Sequence, residues 1–258
     1  MADRRSTPAA ASRSPRLSVI LVGQRSLATQ RRGRYVAGST AHPARMAPDL
    51  AAAVIEDYTQ PGDLILDPLA GTGTTLVEAV HAGRNAIGIE IERGWATIAR
   101  ANLDLARRHG AGGHGRVIRG DATRLPVGLP VEVRGRVNLV LTSPPRTRTM
   151  RTQPAGRVRS VDGLTAVLAG CVPLLAPDGV IILVTRPSRH GVDLPGLVGE
   201  AAGLVVVDCR RAVHAVVRDD RFVARHPRGS ACASDGRATP ISHVQHDDLT
   251  ILTPRRPS

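Results

Sequence analysis

Three acids and one glycine turn are the residues of this sequence best placed to do chemistry. Asp67 heads the run Asp67-Pro-Leu-Ala-Gly-Thr-Gly-Thr-Thr75, which follows the apolar run Leu64-Ile-Leu66 and opens a helical pattern from about Thr74 to His81. Glycines at 71 and 73 let the backbone turn tightly and approach a ligand closely. A dinucleotide fingerprint would need a third glycine where Leu76 stands. A phosphate-binding loop would need a lysine, and the chain has none. What remains is a tight turn with an acid at the end of its strand, suited to a ligand that carries an ammonium or sulfonium and no phosphate.

Glu90 ends the next apolar run, 19 residues after Gly71, where an acid can accept hydrogen bonds from ribose hydroxyls. Asp121 follows Val117-Ile118, in reach of an adenine amino group. Singly, each acid could simply cap the helix that follows it. Three in register at strand ends instead mark a cofactor site, because ligands of open α/β sheets bind at the carboxyl edge.

The elements that must position these groups alternate. Strands are expected at Leu64–Leu66, Ala86–Ile89, Val117–Ile118, Val137–Leu141, Val180–Val184, Leu204–Val207, Val213–Val217 and Leu249–Leu252. Trp95, Ile98, Ala99, Asn102 and Leu103 fall at helical spacing, and a helix near Val161–Leu175 should stop at Ala-Pro-Asp-Gly179. This alternation predicts a parallel, doubly wound sheet in one domain over 17–253. Residues 1–16 read as a disordered basic tail, 146–160 as an arginine-rich loop, 225–240 as a second loop and 254–258 as a tail.

These motifs resemble a known family. Asp67-Pro-Leu-Ala-Gly-Thr-Gly-Thr-Thr75 together with Thr142-Ser-Pro-Pro145 is similar to the DNA amino-methyltransferases that modify cytosine N4 or adenine N6. Gln30-Arg-Arg-Gly-Arg-Tyr35 and His42-Pro-Ala-Arg-Met46 resemble that family's remaining cofactor segment. The resemblance implies a Rossmann-like class I methyltransferase, α/β with a seven-stranded, mostly parallel sheet, and S-adenosyl-L-methionine as cofactor. It implies that Asp67 sits near the methionine amino group with Gly71 and Gly73 near its main chain, that Pro68 and Thr74 also belong to the cofactor site, that His42, Pro43 and Met46 help close over the methionine end, and that Glu90 and Asp121 take ribose and adenine. Trp95 would flank the adenine ring or belong to the core.

The same resemblance gives Ser143, Pro144 and Pro145 the catalytic role. The prolines fix the main chain, so a carbonyl and the Ser143 hydroxyl can accept hydrogen bonds from an exocyclic amine. Positioning then carries an in-line transfer without a covalent intermediate. Cysteine chemistry of the cytosine C5 kind is excluded, since Cys171, Cys209 and Cys232 follow Gly, Asp and Ala and not Pro. Arg146 stands where the family carries an aromatic that packs on the target base; a guanidinium plane can also stack there.

Composition supports a nucleic-acid partner. The net charge is +13, all 35 basic residues are arginine, and arginine forks suit phosphate. Three scattered cysteines give neither a disulfide framework nor metal-ligand spacing, and the apolar run Leu17 to Val22 is too short for a signal core or a membrane span. The expectation is a cytoplasmic enzyme acting on DNA. The alternatives are an RNA guanosine N2 methyltransferase and a silent binder of cofactor and nucleic acid.

Overall fold

A computed structural model of the chain describes residues 17–43, 45–144, 161–187, 193–218, 221–224 and 246–255. The 1–16 tail, the 146–160 loop and the 225–240 loop expected from sequence lie outside the described residues.

The strands are β1 (Val19–Leu21), β2 (Leu64–Asp67), β3 (Asn85–Glu90), β4 (Gly115–Arg119), β5 (Val137–Thr142), β6 (Leu175–Thr185), β7 (Leu204–Val213), β8 (Ala215–Arg218), β9 (Arg221–Ala224) and β10 (His246–Pro254). The helices are α1 (Leu27–Arg31), α2 (Pro48–Tyr58), α3 (Thr74–His81), α4 (Arg93–Arg108), α5 (Val161–Cys171) and α6 (Leu194–Ala201). Eight strands form one sheet in the order β1-β7-β10-β6-β5-β2-β3-β4. Every pairing in it is parallel except those of β10, which runs antiparallel to β6 and β7.

The sheet is doubly wound and mostly parallel, as the alternation predicts, with eight strands and not seven. The addition is β1, three residues that pair with the end of β7 (Val19↔Arg211, Leu21↔Val213). The run Val213–Val217, expected as one strand of the sheet, is divided at His214. Val213 closes β7, while Ala215 starts β8, which pairs with β9 in a separate two-stranded ribbon. The fifth helix ends at Cys171, followed by a 3-10 turn at Val172–Leu174, so Ala-Pro-Asp-Gly179 lies inside an irregular stretch of β6 where the register jumps from Val137↔Leu175 to Leu139↔Val180.

Alternate residues of the central strands feed two cores, as the two-residue period of a strand requires. Ile65, Leu139, Leu141 and Ile182 pack with α2, α3 and α4, while Leu66, Val140, Ile181 and Leu183 pack with α5 and α6. α3 is buried from Thr74 to Val80, lying between the sheet and its neighbours α2 and α4. Each fully buried Leu or Ile contributes about 1.5–3 kcal/mol, so these faces fix where the glycine turn ahead of α3 must sit.

One polar side chain interrupts the small-residue stripe by which α4 packs. Ala96, Ala99, Asn102 and Ala106 are its buried residues, and Asn102 is 0% exposed. Its Nδ2 donates to the Thr72 carbonyl (2.8 Å) and to Ser39 Oγ (2.9 Å), and its Oδ1 accepts from Val36 N (2.8 Å). α4, the glycine turn and the segment ahead of α2 are thereby joined by a single amide. Glu78 on α3 makes a second tie, accepting from Tyr35 OH (2.6 Å) and from Arg34. Asn102→Ala should cost about 3–5 kcal/mol, because a buried N–H, a carbonyl and a hydroxyl all lose a partner. Urea unfolding with an unchanged m-value checks this; a loss below about 1 kcal/mol would mean the segments are held independently.

Candidate cofactor and substrate site

The strand order reverses between β2 and β5. From β2 the chain adds β3 and β4 on one side, then returns to place β5 on the other. A crevice opens at such a switch point, outside the carboxyl ends of the two strands. Asp67 ends β2 and Thr142-Ser143 ends β5, so the glycine turn and the Ser-Pro pair border the same crevice. Thr75 Oγ1 donates across it to the Leu141 carbonyl (3.4 Å).

The turn is built to a narrow specification. Gly71 (φ +52) and Gly73 (φ +81) both take left-handed conformations that favour glycine. A Cβ on Gly71 would come within 3.4 Å of His42 Nε2, so the imidazole stands directly over the turn. Gly73 N donates to Ala70 O (2.7 Å), and Ala70 N donates to Ile89 O (2.9 Å), which binds the turn to β3. Gly73 is also the N-cap of α3 and offers no side chain to it, leaving the first-turn N–H groups available.

The three acids stand at the carboxyl ends of adjacent strands, with different surroundings. Asp67 is only 4% exposed, and burial pushes its carboxyl up to about 6, opposed by the hydrogen bond that Leu69 N donates to it (3.1 Å) and by the nearby hydroxyls of Thr75 and Thr142. Glu90 accepts one backbone N–H on each oxygen, from Gly71 (2.8 Å) and from Glu92 (2.8 Å). It therefore braces the turn while keeping lone pairs for a ligand. Burial raises its pKa as well, and the same two N–H groups work against that rise. Asp121 caps the 3-10 turn Ala122–Arg124, accepting from Thr123 N (3.0 Å) and Thr123 Oγ1 (2.7 Å).

His42 also meets Trp95 edge-on, with ring centroids 4.7 Å apart at 75°. Met46 is buried and Pro43 exposed. Thus His42, Gly71, Gly73, Thr74, Asp67 and Glu90 gather around one turn. Ser143 is exposed and Pro144 half-buried at the crevice, while Pro145 and Arg146 lie outside the described residues. Among the described residues no group of three or more His, Cys, Asp or Glu could hold a metal ion, and no helix is long and apolar enough to cross a membrane.

Sequence reasoning passed over two residues that shape this site, Asn102 and Arg31. Asn102 had a visible signal, an amide within an apolar stripe. Arg31 had none beyond its place in Gln30–Tyr35, yet it is buried (7% exposed) and donates to Met46 O (3.0 Å) and Thr74 Oγ1 (3.1 Å).

Comparison with known proteins gives a match over one segment and a shared fold. The family model described as DNA methylase matches residues 22–101. DNA adenine methyltransferase YhdJ of Escherichia coli (strain K12) is 37% identical over 70 residues, 27% of this chain and 24% of that protein. Type II methyltransferase M2.DpnII of Streptococcus pneumoniae is 43% identical over 63 residues, 24% of each chain. The match thus spans about a quarter of the length of these curated relatives. Among solved structures, TrmN from Thermus thermophilus superposes with a TM-score of 0.55 at 20% identity, over 88% of this chain and 53% of that one. Precorrin 8w decarboxylase from Methanobacterium thermoautotrophicum does so at 0.54 and 16% identity, over 84% and 95%. These structures share the fold, and the matched segment holds the glycine turn together with His42, Glu90 and Trp95, while Asn102 lies one residue beyond it. Over residues 22–101 the chain is similar to the DNA methylase family, and its overall fold is that of the class I S-adenosylmethionine-dependent methyltransferases.

Proposed function

We propose that the protein transfers a methyl group from S-adenosylmethionine to an exocyclic amine of a nucleic-acid base, with cytosine N4 or adenine N6 of DNA the favoured target. The observation that carries this reading is the juxtaposition of the Asp67 turn and Ser143-Pro144 across the β2/β5 switch point. The residues fit the cofactor by charge. A pyrophosphate would set negative charge beside the buried acids Asp67 and Glu90, whereas a ligand with an ammonium and a sulfonium relieves them. When bound, the cofactor supplies a methyl group on positively charged sulfur.

The chain's own groups supply position. Asp67 receives the ammonium, Gly71 and Gly73 allow close approach of the main chain, and Glu90 takes the ribose hydroxyls. His42 and Trp95 cover the turn from the side of α4. Asp121 is assigned to the adenine amino group. On the facing strand the Ser143 hydroxyl and the neighbouring carbonyl accept hydrogen bonds from the target amine, which turns its lone pair towards the methyl group. Arginines around the site draw the phosphate backbone in a salt-dependent way.

The decisive experiment incubates the protein with methyl-labelled S-adenosylmethionine and separate DNA and RNA pools, then digests each and identifies the labelled nucleoside. Label on N4-methylcytosine or N6-methyladenine is expected; label on guanosine in the RNA pool would move the substrate to RNA, and cofactor binding without transfer would make the protein a silent binder. Ser143→Ala should keep cofactor affinity within about threefold and lower transfer by about 100-fold. Retained turnover would remove Ser143 from the chemistry.

Asp67 also gives the site a pH signature. Its carboxyl, titrating at about 6 in the free protein, is protonated and unable to pair with an ammonium at lower pH. Cofactor affinity measured by calorimetry should be steady above pH 7 and about tenfold weaker at pH 5. Asp67→Asn should bind weakly at both pH values, without that dependence.

A further inference from the structure

We propose that Arg31 holds the carboxylate of the cofactor's amino-acid end, so that the site reads the ligand as a zwitterion. This rests on the cofactor reading above and gives a specific role to a residue that the sequence marks only by its place in Gln30–Tyr35.

Arg31 closes α1 with its guanidinium turned inward. One terminal nitrogen, Nη2, is satisfied by Met46 O (3.0 Å) and Thr74 Oγ1 (3.1 Å), and the guanidinium carbon lies 4.6 Å from the centre of the Tyr35 ring. The other, Nη1, is shut off from solvent and has no hydrogen-bond acceptor. The nearby acid, Glu78, is engaged by Tyr35 and Arg34. Burial lowers the pKa of Arg31, yet a guanidinium stays charged, so a charged donor stands unpaired in the interior.

Thr74, to which the neighbouring nitrogen is bonded, is the first residue of α3. That helix start has Gly73 as its N-cap and no side-chain acceptor for its free N–H groups. Two independent sources of positive potential, a helix N-terminus and an orphaned guanidinium N–H, therefore meet beside the glycine turn. An anion belongs there. Asp67 and Glu90 at the same turn make a polyphosphate a poor occupant, and a single carboxylate a good one. An α-amino acid presents both charges on one carbon: its ammonium goes to Asp67, and its carboxylate to Arg31 and the start of α3.

Discrimination against a decarboxylated ligand follows. Calorimetry at pH 7.5 should show the wild-type protein binding S-adenosylmethionine about 10–100-fold more tightly than decarboxylated S-adenosylmethionine, which keeps the ammonium and the sulfonium. Arg31→Met should bring that ratio below about threefold while leaving affinity for the decarboxylated ligand nearly unchanged. A variant that weakens both ligands equally would show a packing role and overturn the proposal. So would a wild-type protein that binds the two alike, although the cofactor reading would then survive. Binding of neither ligand by the wild type would end both. If Arg31→Met lacks a cooperative melt, Arg31→Lys serves instead, since one ammonium replaces a five-donor fork. Its ratio should fall at least about threefold, and an unchanged ratio would refute the assignment.

Discussion

The Asn102 amide is the constraint on which this architecture turns. A doubly wound sheet brings strand ends to one edge, but it does not fix the segments that loop above them. Here one buried side chain satisfies the Thr72 carbonyl, the Val36 N–H and the Ser39 hydroxyl together. The glycine turn is set relative to α4, and the stretch that carries His42 is set relative to both. An apolar residue of the same size would pack as well and leave all three groups unsatisfied.

The site stores unfavourable electrostatics of both signs. Asp67 is buried and accepts from the Leu69 N–H, and Arg31 is buried with a nitrogen that has no acceptor. Each group costs the folded protein something, and on the proposed reading each is relieved by one charge of the same zwitterion. On that reading, paired frustration is the reason a fold that could have closed over neutral side chains keeps an acid and an arginine near a single turn.

Local pattern made part of this legible. Glycines bounded by an apolar run and a helical pattern located the turn between β2 and α3, and α3 itself runs from Thr74 to His81 as the spacing suggested. The central strands read as continuous apolar runs because both faces are covered. Other features depend on distant partners and leave no local mark. α1, α2 and α6 went unassigned; in α2 the buried set Leu50, Ala51, Val54, Ile55 and Tyr58 sits in an alanine-rich stretch of weak contrast. The break at His214 is equally silent in sequence: its Nε2 lies 2.8 Å from Asp247 Oδ2 on β10, a partner 33 residues away. Arg31 and Asn102 matter through contacts spanning 43 and 63–66 residues, and no window of periodicity reaches so far.

The edge pairing of β1 has a consequence for the order in which the molecule comes together. Leu17 O accepts from Arg210 Nε across 193 residues, and Arg211 N donates to Ser18 O. During synthesis β1 leaves the ribosome early and has no sheet to join until β7 emerges, long after the glycine turn and α4 have been made. Ile20 and Leu21 must wait through that interval without their partner strand. The segment from α1 to Met46, in contrast, can dock as soon as α3 and α4 exist, through Glu78, Thr74 and Asn102. The glycine turn is therefore completed by a nascent chain in which β1 is still unpaired, and a ligand bound at that stage would stabilise one half of the sheet before the other has formed.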